Sequence, residues 1–155
     1  MSGKKLAIIA TKGTLDWGYP PFILASTAAA LGYDVEIFFT FYGLQLLKKD
    51  LKPQVTSIGN PAMPMPMPMP VLLQALPGMQ GMMTSMMKKK MASKGVADLA
   101  ELRELSQEAE VKFIACQMTV DLFEMDTSEF IDGIEYAGAA AFFEFAGESD
   151  ITLFI

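Results

Sequence analysis

Cys116 is the residue of this chain best suited to covalent chemistry. It is the only cysteine among 155 residues, and it ends an apolar run over residues 111–116 that is typical of a buried strand. The residues after it predict a helix, whose free N–H groups would stabilise a thiolate and lower the pKa of the thiol. The alternative is that Cys116 is a small buried hydrophobic residue, which is the common role of a lone cysteine.

The residue types that the chain lacks argue against several kinds of catalytic and metal site. The chain has no histidine, which argues against Ser-His-Asp and Cys-His catalysis and against a histidine-ligated metal site. One cysteine cannot form an intramolecular disulfide, a CxxC redox pair or a thiolate zinc site, so we expect no metal and no cofactor. A free thiol fits a reducing compartment, and the N-terminal apolar run is too short for a signal peptide. We therefore expect a cytoplasmic protein.

The composition predicts one globular domain over residues 1–155. The chain is 52% hydrophobic and 19% charged, which supplies enough apolar surface for a substantial core. Its net charge is -6, and its longest run of basic residues is 88–90. Nucleic acid is therefore not expected as a partner.

Apolar runs and helical patterns alternate along the chain. Strands are predicted at 5–11, 33–40, 111–116, 134–136 and 150–155, and helices at 22–31, 43–49, 96–110, 119–123 and 137–148. This order predicts a three-layer α/β/α, Rossmann-like (flavodoxin-like) domain with a mostly parallel sheet of about five strands. In the helix over 96–110, Leu99, Leu102 and Leu105 should face the core, with Arg103 on the opposite side.

A parallel sheet of this kind reacts at the carboxyl ends of its strands, which brings two segments to the candidate site. The first is the loop predicted over 12–21, where Gly13 and Thr14 are candidate substrate-binding residues and Lys12 could help to ionise the thiol. Its alternative is an ordinary strand-to-helix connection, and it matches no nucleotide-binding motif. The second segment follows Cys116 directly and adds Gln117, Met118 and Thr119 as candidate substrate-binding residues.

Residues 55–93 predict an irregular insertion outside the sheet. Ten of the thirteen methionines lie between Met63 and Met91, and residues 61–87 carry no charge. Alternating Met and Pro up to Pro70 should be extended, and residues 71–87 should form a loose helix broken near Pro77. The segment could be a flap or contact surface, a peripheral membrane contact assisted by the lysines at 88–90, a Cu(I) site or a disordered stretch.

Three segments together resemble the DsrE/DsrF/DsrH-like family, in particular its subgroup with a Met/Pro-rich insertion. They are FFTFYGLQLL from Phe38, ACQMTVDL from Ala115, and the C-terminal run from Tyr136 to Ile155. The resemblance covers nearly the whole chain and implies a Rossmann-like sheet, a homo-oligomer or hetero-oligomer and a role in sulfur relay. It maps the carrier cysteine of the family onto Cys116, and it marks as a departure the lack of a further cysteine found in some members.

The resemblance implies a sulfur carrier or sulfurtransferase that holds sulfane sulfur as a persulfide on Cys116. Its partners would be sulfur donor and acceptor proteins or a low-molecular-weight persulfide. A second hypothesis is a non-catalytic binding or scaffold subunit that docks a partner or a membrane surface through the Met-rich insertion. A third is a peroxide-reducing thiol protein, although the chain has no resolving cysteine.

Overall fold

A five-stranded sheet forms the centre of the protein. The computed structural model describes residues 3–57 and 65–155. Its strands are β1 (Lys5–Ala10), β2 (Asp34–Phe39), β3 (Lys112–Cys116), β4 (Ile134–Ala137) and β5 (Ile151–Phe154). They pair in the order β4-β3-β2-β1-β5, and every pairing is parallel. The predicted parallel sheet is therefore confirmed.

Helices cover the two faces of this sheet unequally. They are α1 (Leu15–Ala30), α2 (Val71–Gln74), α3 (Met79–Ser93), α4 (Leu99–Glu108), α5 (Gln117–Leu122) and α6 (Ala139–Ala146), with 3-10 helices at Phe41–Leu47 and Thr127–Glu129. The large core lies between the sheet and the layer of α1 and α4. A smaller cluster on the opposite face is closed by α6, through the buried ring of Phe142. The three-layer α/β/α arrangement is thus confirmed, with one thin layer.

Helix α1 begins earlier than the sequence pattern predicts. Residues 15–21 were expected in a loop because Pro20 and Pro21 interrupt helical hydrogen bonding, yet both prolines lie inside α1. Leu15, Tyr19 and Phe22 are buried and fall on one side of the helix. Burial of this apolar stripe outweighs the local cost of the prolines, so the expected loop is reduced to residues 11–14.

Arg103 lies on the buried side of α4, contrary to the prediction. It is 7% exposed, whereas Leu105 is 50% exposed. Its Nη1 donates hydrogen bonds to the carbonyl oxygens of Leu46 at 2.8 Å and of Lys48 at 2.6 Å. These carbonyls end the first 3-10 helix and need donors, since the last carbonyls of a helix have no partner within it. A charged side chain is therefore drawn to the core side of the helix by its backbone partners.

The helix predicted over 71–87, with a break near Pro77, is present as α2 and α3, and α3 continues beyond the prediction to Ser93. Helix α3 has 15 residues, and Gly78, in the left-handed region with φ 82°, separates it from α2. The side chains of Met83, Met87 and Met91 pack on the large core. The expected extended Met/Pro stretch lies partly outside the described residues, and residues 65–70 form no helix or strand.

Glu36 is a buried carboxylic acid on the α6 side of the sheet. It is 4% exposed, and its Oε1 has no hydrogen-bond partner among the residues that the structure describes. In the sheet register Glu36 lies between Ala7 and Lys112. Burial raises the pKa of Glu36 to about 7, against the opposing effect of Lys112, and the nearby carboxylates of Glu135 and Asp34 add to the rise.

We predict that Glu36→Gln stabilises the protein only at neutral and alkaline pH. A raised pKa means that the folded state keeps a proton that the unfolded state loses, so stability falls as pH rises between the ordinary glutamate pKa and about 7. The variant should match the parent near pH 4 and gain about 1–2 kcal/mol near pH 8. Urea unfolding at both pH values measures this, with Glu108→Gln, an exposed carboxylate on α4 that does not act on Glu36, as control. An equal effect of Glu36→Gln at both pH values would contradict it.

Candidate functional site

Cys116 lies where β3 ends and α5 begins. It is the last residue of β3 and the N-cap residue of α5. Its side chain is 4% exposed and packs in the smaller cluster with Phe38, Ile114 and Phe142. Cys116 therefore lies at the carboxyl edge of the sheet, as predicted, but its thiol is buried.

Hydroxyl and backbone N–H groups near Cys116 favour the thiolate form of its side chain. Burial raises the pKa of the Cys116 thiol, whereas the side chain and backbone N–H of Thr119, the Thr40 hydroxyl and the backbone N–H of Met118 lower it. The result is a pKa below the ordinary value of a thiol. Because α5 has only six residues, we ascribe this effect to individual donors in its first turn rather than to a long helix dipole.

Thr40 and Thr119 form one hydroxyl pair beside the thiol. Their Oγ1 atoms are 3.2 Å apart, and the backbone N–H of Phe41 donates to Thr119 Oγ1 at 3.3 Å. Thr40 follows β2, and β2 neighbours β3 in the sheet. The pair therefore connects the ends of two adjacent strands next to the only cysteine.

The first 3-10 helix places Thr40 by direct backbone contact with β1. The Thr40 N–H donates to the Ala10 carbonyl at 3.1 Å. Gly43 lies so close to the same carbonyl that a Cβ at this position would collide with it. Only glycine fits such an approach, which explains the glycine in the segment Phe-Tyr-Gly-Leu.

The predicted residues after Cys116 have three different surroundings. Thr119 is fully buried and contacts the thiol, so its role is toward Cys116 itself. Met118 supplies its N–H to the sulfur, while its side chain is 62% exposed. Gln117 is exposed, and its Nε2 donates to Asp121 Oδ1 at 2.8 Å along the surface of α5.

Gly13 and Thr14 face the insertion of this same chain. The Leu15 N–H, at the start of α1, donates to the Gln54 carbonyl at 2.8 Å, and Thr14 Oγ1 lies 3.2 Å from Thr56 Oγ1. Gly13 and Thr14 line a cavity of about 420 Å³ to which none of residues 116–119 contributes. The structure therefore does not bring these two residues into one cavity with Cys116.

Lys12 is engaged with its own neighbours. Its Nζ lies 4.1 Å from the centre of the Trp17 ring and donates to Thr11 Oγ1 at 3.2 Å. It is not among the groups that change the pKa of Cys116. The group that sequence reasoning missed is Thr40, although its place directly after a strand neighbouring β3 was a usable signal.

Comparison with known proteins identifies the family. The model of the DsrE/DsrF/DrsH-like family matches residues 2–154. The chain belongs to the DsrE/DsrF/DrsH-like family. The resemblance predicted from the sequence is thereby confirmed.

Two relatives align with this family member over essentially its full length. The chain is 77% identical over 159 residues to the "Sulfur carrier protein DsrE2" of Allochromatium vinosum, with 100% of both chains covered. It is 36% identical over 157 residues to YrkE of Bacillus subtilis, covering 98% of this chain and 97% of YrkE.

Solved structures support the fold of this DsrE-like chain. The ychN protein from E. coli superposes with a TM-score of 0.59 at 12% identity, covering 98% of this chain and 99% of its own. MTH1491 from Methanobacterium thermoautotrophicum gives a TM-score of 0.54 at 12% identity, covering 97% and 98%. At this level of identity the likeness concerns the fold alone, and it agrees with the predicted flavodoxin-like class.

We predict that the Thr40 hydroxyl helps to ionise Cys116. Thr40→Val removes one donor to the thiolate while keeping the shape of the side chain, so the pKa of Cys116 should rise. Loss of a hydrogen bond to a charged group is worth about 1.5 kcal/mol, so alkylation by iodoacetamide at neutral pH should slow about tenfold. The rate is measured across pH, and Thr119→Val should act in the same direction.

The matched control is Thr27→Val, because the Thr27 hydroxyl bonds only to the Ile23 carbonyl of its own helix, at 2.7 Å. This variant should keep the pH profile of the parent protein. An unchanged pH midpoint in both Thr40→Val and Thr119→Val would contradict the assignment of these hydroxyls to the thiolate.

Proposed function

We propose that this protein carries sulfane sulfur as a persulfide on Cys116 and passes it to an acceptor protein. The observation that supports this most is the environment of the thiol, because the only cysteine of the chain has a lowered pKa although it is buried. Burial alone would raise the pKa of a thiol, so the groups of Thr40, Thr119 and Met118 that lower it favour a chemical role for Cys116. The 77% identical relative bears the name of a sulfur carrier protein, which agrees with this reading.

The transfer needs only thiolate chemistry. The Cys116 thiolate attacks the outer sulfur of a donor persulfide, the S–S bond of the donor breaks, and the donor leaves as a thiolate. Cys116 then holds the outer sulfur as a persulfide. An acceptor thiolate attacks that sulfur, and the electron pair of the second S–S bond returns to Cys116. A low pKa favours both steps, because it makes Cys116 a thiolate for attack and a good leaving group for release.

This chemistry fits the residue types of the chain. No oxygen or nitrogen leaving group has to be protonated, so the reaction runs without a histidine. The donors from Thr40, Thr119 and Met118 stabilise the thiolate at the start and at the end of the cycle.

The proposal extends to the assembly and the location of the protein. We propose a homo-oligomer in the cytoplasm that exchanges sulfur with donor and acceptor proteins or with a low-molecular-weight persulfide. Phe143 and Phe154 are 68% and 72% exposed, on α6 and β5, and exposed aromatic rings of this kind favour a subunit contact. None of the helices in the described parts of the chain is long and apolar enough to cross a membrane.

We predict that incubation with a persulfide donor, such as glutathione persulfide, adds the mass of one sulfur atom to the folded protein. Intact-mass spectrometry measures the adduct, and a thiol reductant should remove it. Cys116→Ser should remain unmodified, because serine has no thiolate to attack the donor sulfur.

Two results would contradict this proposal. The first is a parent protein that gains no sulfur although iodoacetamide modifies Cys116 in the folded state. The second is an adduct that persists in Cys116→Ser. Modification of Cys116 by iodoacetamide only after unfolding would favour the binding-subunit hypothesis, since a packed thiol is protected until the fold opens.

The Met-rich insertion supports a second function, docking to a membrane surface. Val71 and Leu72 are 79% and 81% exposed on α2, and Met67 is 75% exposed just before it. No charged residue occurs from 61 to 87, and three lysines follow directly. Exposed apolar side chains beside a basic cluster are typical of peripheral contact with anionic lipid.

We predict that the protein floats with anionic phospholipid vesicles in a density gradient, and that a double substitution of Val71 and Leu72 by serine weakens vesicle binding about tenfold. The reason is the loss of apolar surface that the lipid would cover. The control is the pair Leu31→Ser and Leu105→Ser, since these leucines are also exposed but lie at the end of α1 and on α4, away from the insertion. Equal binding by both double variants, or no binding by the parent, would contradict membrane docking.

A further inference from the structure

The charges of this chain are separated along the sequence. All twelve lysine and arginine residues lie at or before Lys112, together with nine aspartate and glutamate residues. Residues 113–155 contain nine aspartate and glutamate residues and no lysine or arginine. The acidic part begins within β3, so the segment that follows Cys116 is uniformly acidic.

Several of these carboxylates border a groove close to the end of α5. Glu124, Asp126 and Glu129 line a groove of about 430 Å³ together with Tyr42 and Phe123. Lys48 is the one basic residue among its lining side chains, and its Nζ pairs with Glu129 at 3.2 Å. Glu124 and Asp126 make no ion pair among those found in the described residues. The rim therefore carries unbalanced negative charge.

Apolar side chains occupy the middle of the same surface. The ring of Phe123 lies 5.9 Å from that of Phe41 and is stacked on that of Tyr42 at 5.8 Å. Tyr42 is 65% exposed, and Met118 and Leu122, one helical turn apart on α5, are 62% and 60% exposed. Exposed aromatic residues with a polar rim are characteristic of protein interfaces.

Hydrogen bonds connect this surface directly to the candidate site. The Phe41 N–H donates to Thr119 Oγ1 at 3.3 Å, and Thr119 is among the residues that lower the pKa of Cys116. Phe41 has φ 49°, in the left-handed region, which is unusual for a bulky residue. The aromatic cluster, defined as Phe41, Tyr42 and Phe123, is therefore positioned by the same contacts that surround the thiol.

We propose that the aromatic cluster and its acidic rim dock a thiol-bearing protein partner whose own thiol is surrounded by lysine or arginine residues. This inference rests on the proposed function and names the class of partner. An acidic rim attracts a basic protein and accelerates its association, whereas it slows the approach of small anions, which therefore react less rapidly than a basic protein does. The apolar centre provides the contact area that a small anion does not use.

Disulfide exchange with two peptides tests the partner preference without any persulfide. Each peptide carries one cysteine as a mixed disulfide with thionitrobenzoate, flanked by four lysines in one peptide and by four glutamates in the other. The Cys116 thiolate attacks the peptide sulfur, the S–S bond breaks, and coloured thionitrobenzoate leaves as the thiolate. At low salt the lysine peptide should react at least about tenfold faster, and the ratio should approach one at high salt.

Charge reversal locates the effect on the protein. Glu124→Lys with Asp126→Lys should abolish or invert the preference. The matched control, Glu104→Lys with Glu108→Lys, makes the same change of net charge on exposed residues of α4 and should preserve it. Equal rates for both peptides at low salt, no reaction of Cys116 with either peptide, or an equal effect of both double variants would overturn the docking surface. A preserved charge pattern in a protein that gains no sulfur from a donor would instead overturn the carrier function alone.

Discussion

The hydroxyl pair of Thr40 and Thr119 is the interaction on which the chemistry of this fold depends. Ionisation of a thiol that is 4% exposed is unfavourable, because the buried thiolate is not hydrated. Hydrogen-bond donors near the sulfur offset this desolvation cost. Thr40 directly follows β2 and Thr119 lies in α5, which directly follows β3, so the contact between the two hydroxyls depends on the parallel pairing of β2 and β3. That pairing places Phe39 opposite Ala115. The residues that follow them in the chain are Thr40 and Cys116. The register of β2 and β3 therefore helps to determine how readily Cys116 ionises.

The unequal covering of the sheet decides which groups are sensitive to their surroundings. On the side of α1 and α4 the core is continuous and apolar, and it carries most of the hydrophobic stabilisation. The opposite face of the sheet has a smaller apolar cluster beneath α6. Both Cys116 and Glu36 lie on this face. Each is a buried ionisable group whose pKa is shifted. A face closed by one short helix keeps such groups out of water while leaving little protein between them and the surface.

Sequence patterns predicted the structural features that depend on one segment of the chain. They missed the features that depend on contacts between two distant segments. The continuous apolar runs that form β1 and β3 identified the parallel sheet, and the end of the second run placed Cys116 at its carboxyl edge. Thr40 was missed because its partner, Thr119, lies 79 residues away, beyond any periodicity in the sequence. The start of α1 and the burial of Arg103 were missed for the same reason. Both depend on tertiary contacts that outweigh local preference.

A chain with a single cysteine carries out thiol exchange only with a sulfur atom of another molecule. Thiol exchange always involves a second sulfur atom, and here that atom must belong to another molecule. The selectivity of such a reaction then resides in the surface around the thiol rather than in a closed active site. The uniformly acidic segment after Cys116 and the exposed aromatic cluster beside it are features of this kind. In the proposed docking, charge selects the proteins that approach, apolar contact prolongs their residence, and the hydroxyl pair favours the thiolate that would attack their sulfur.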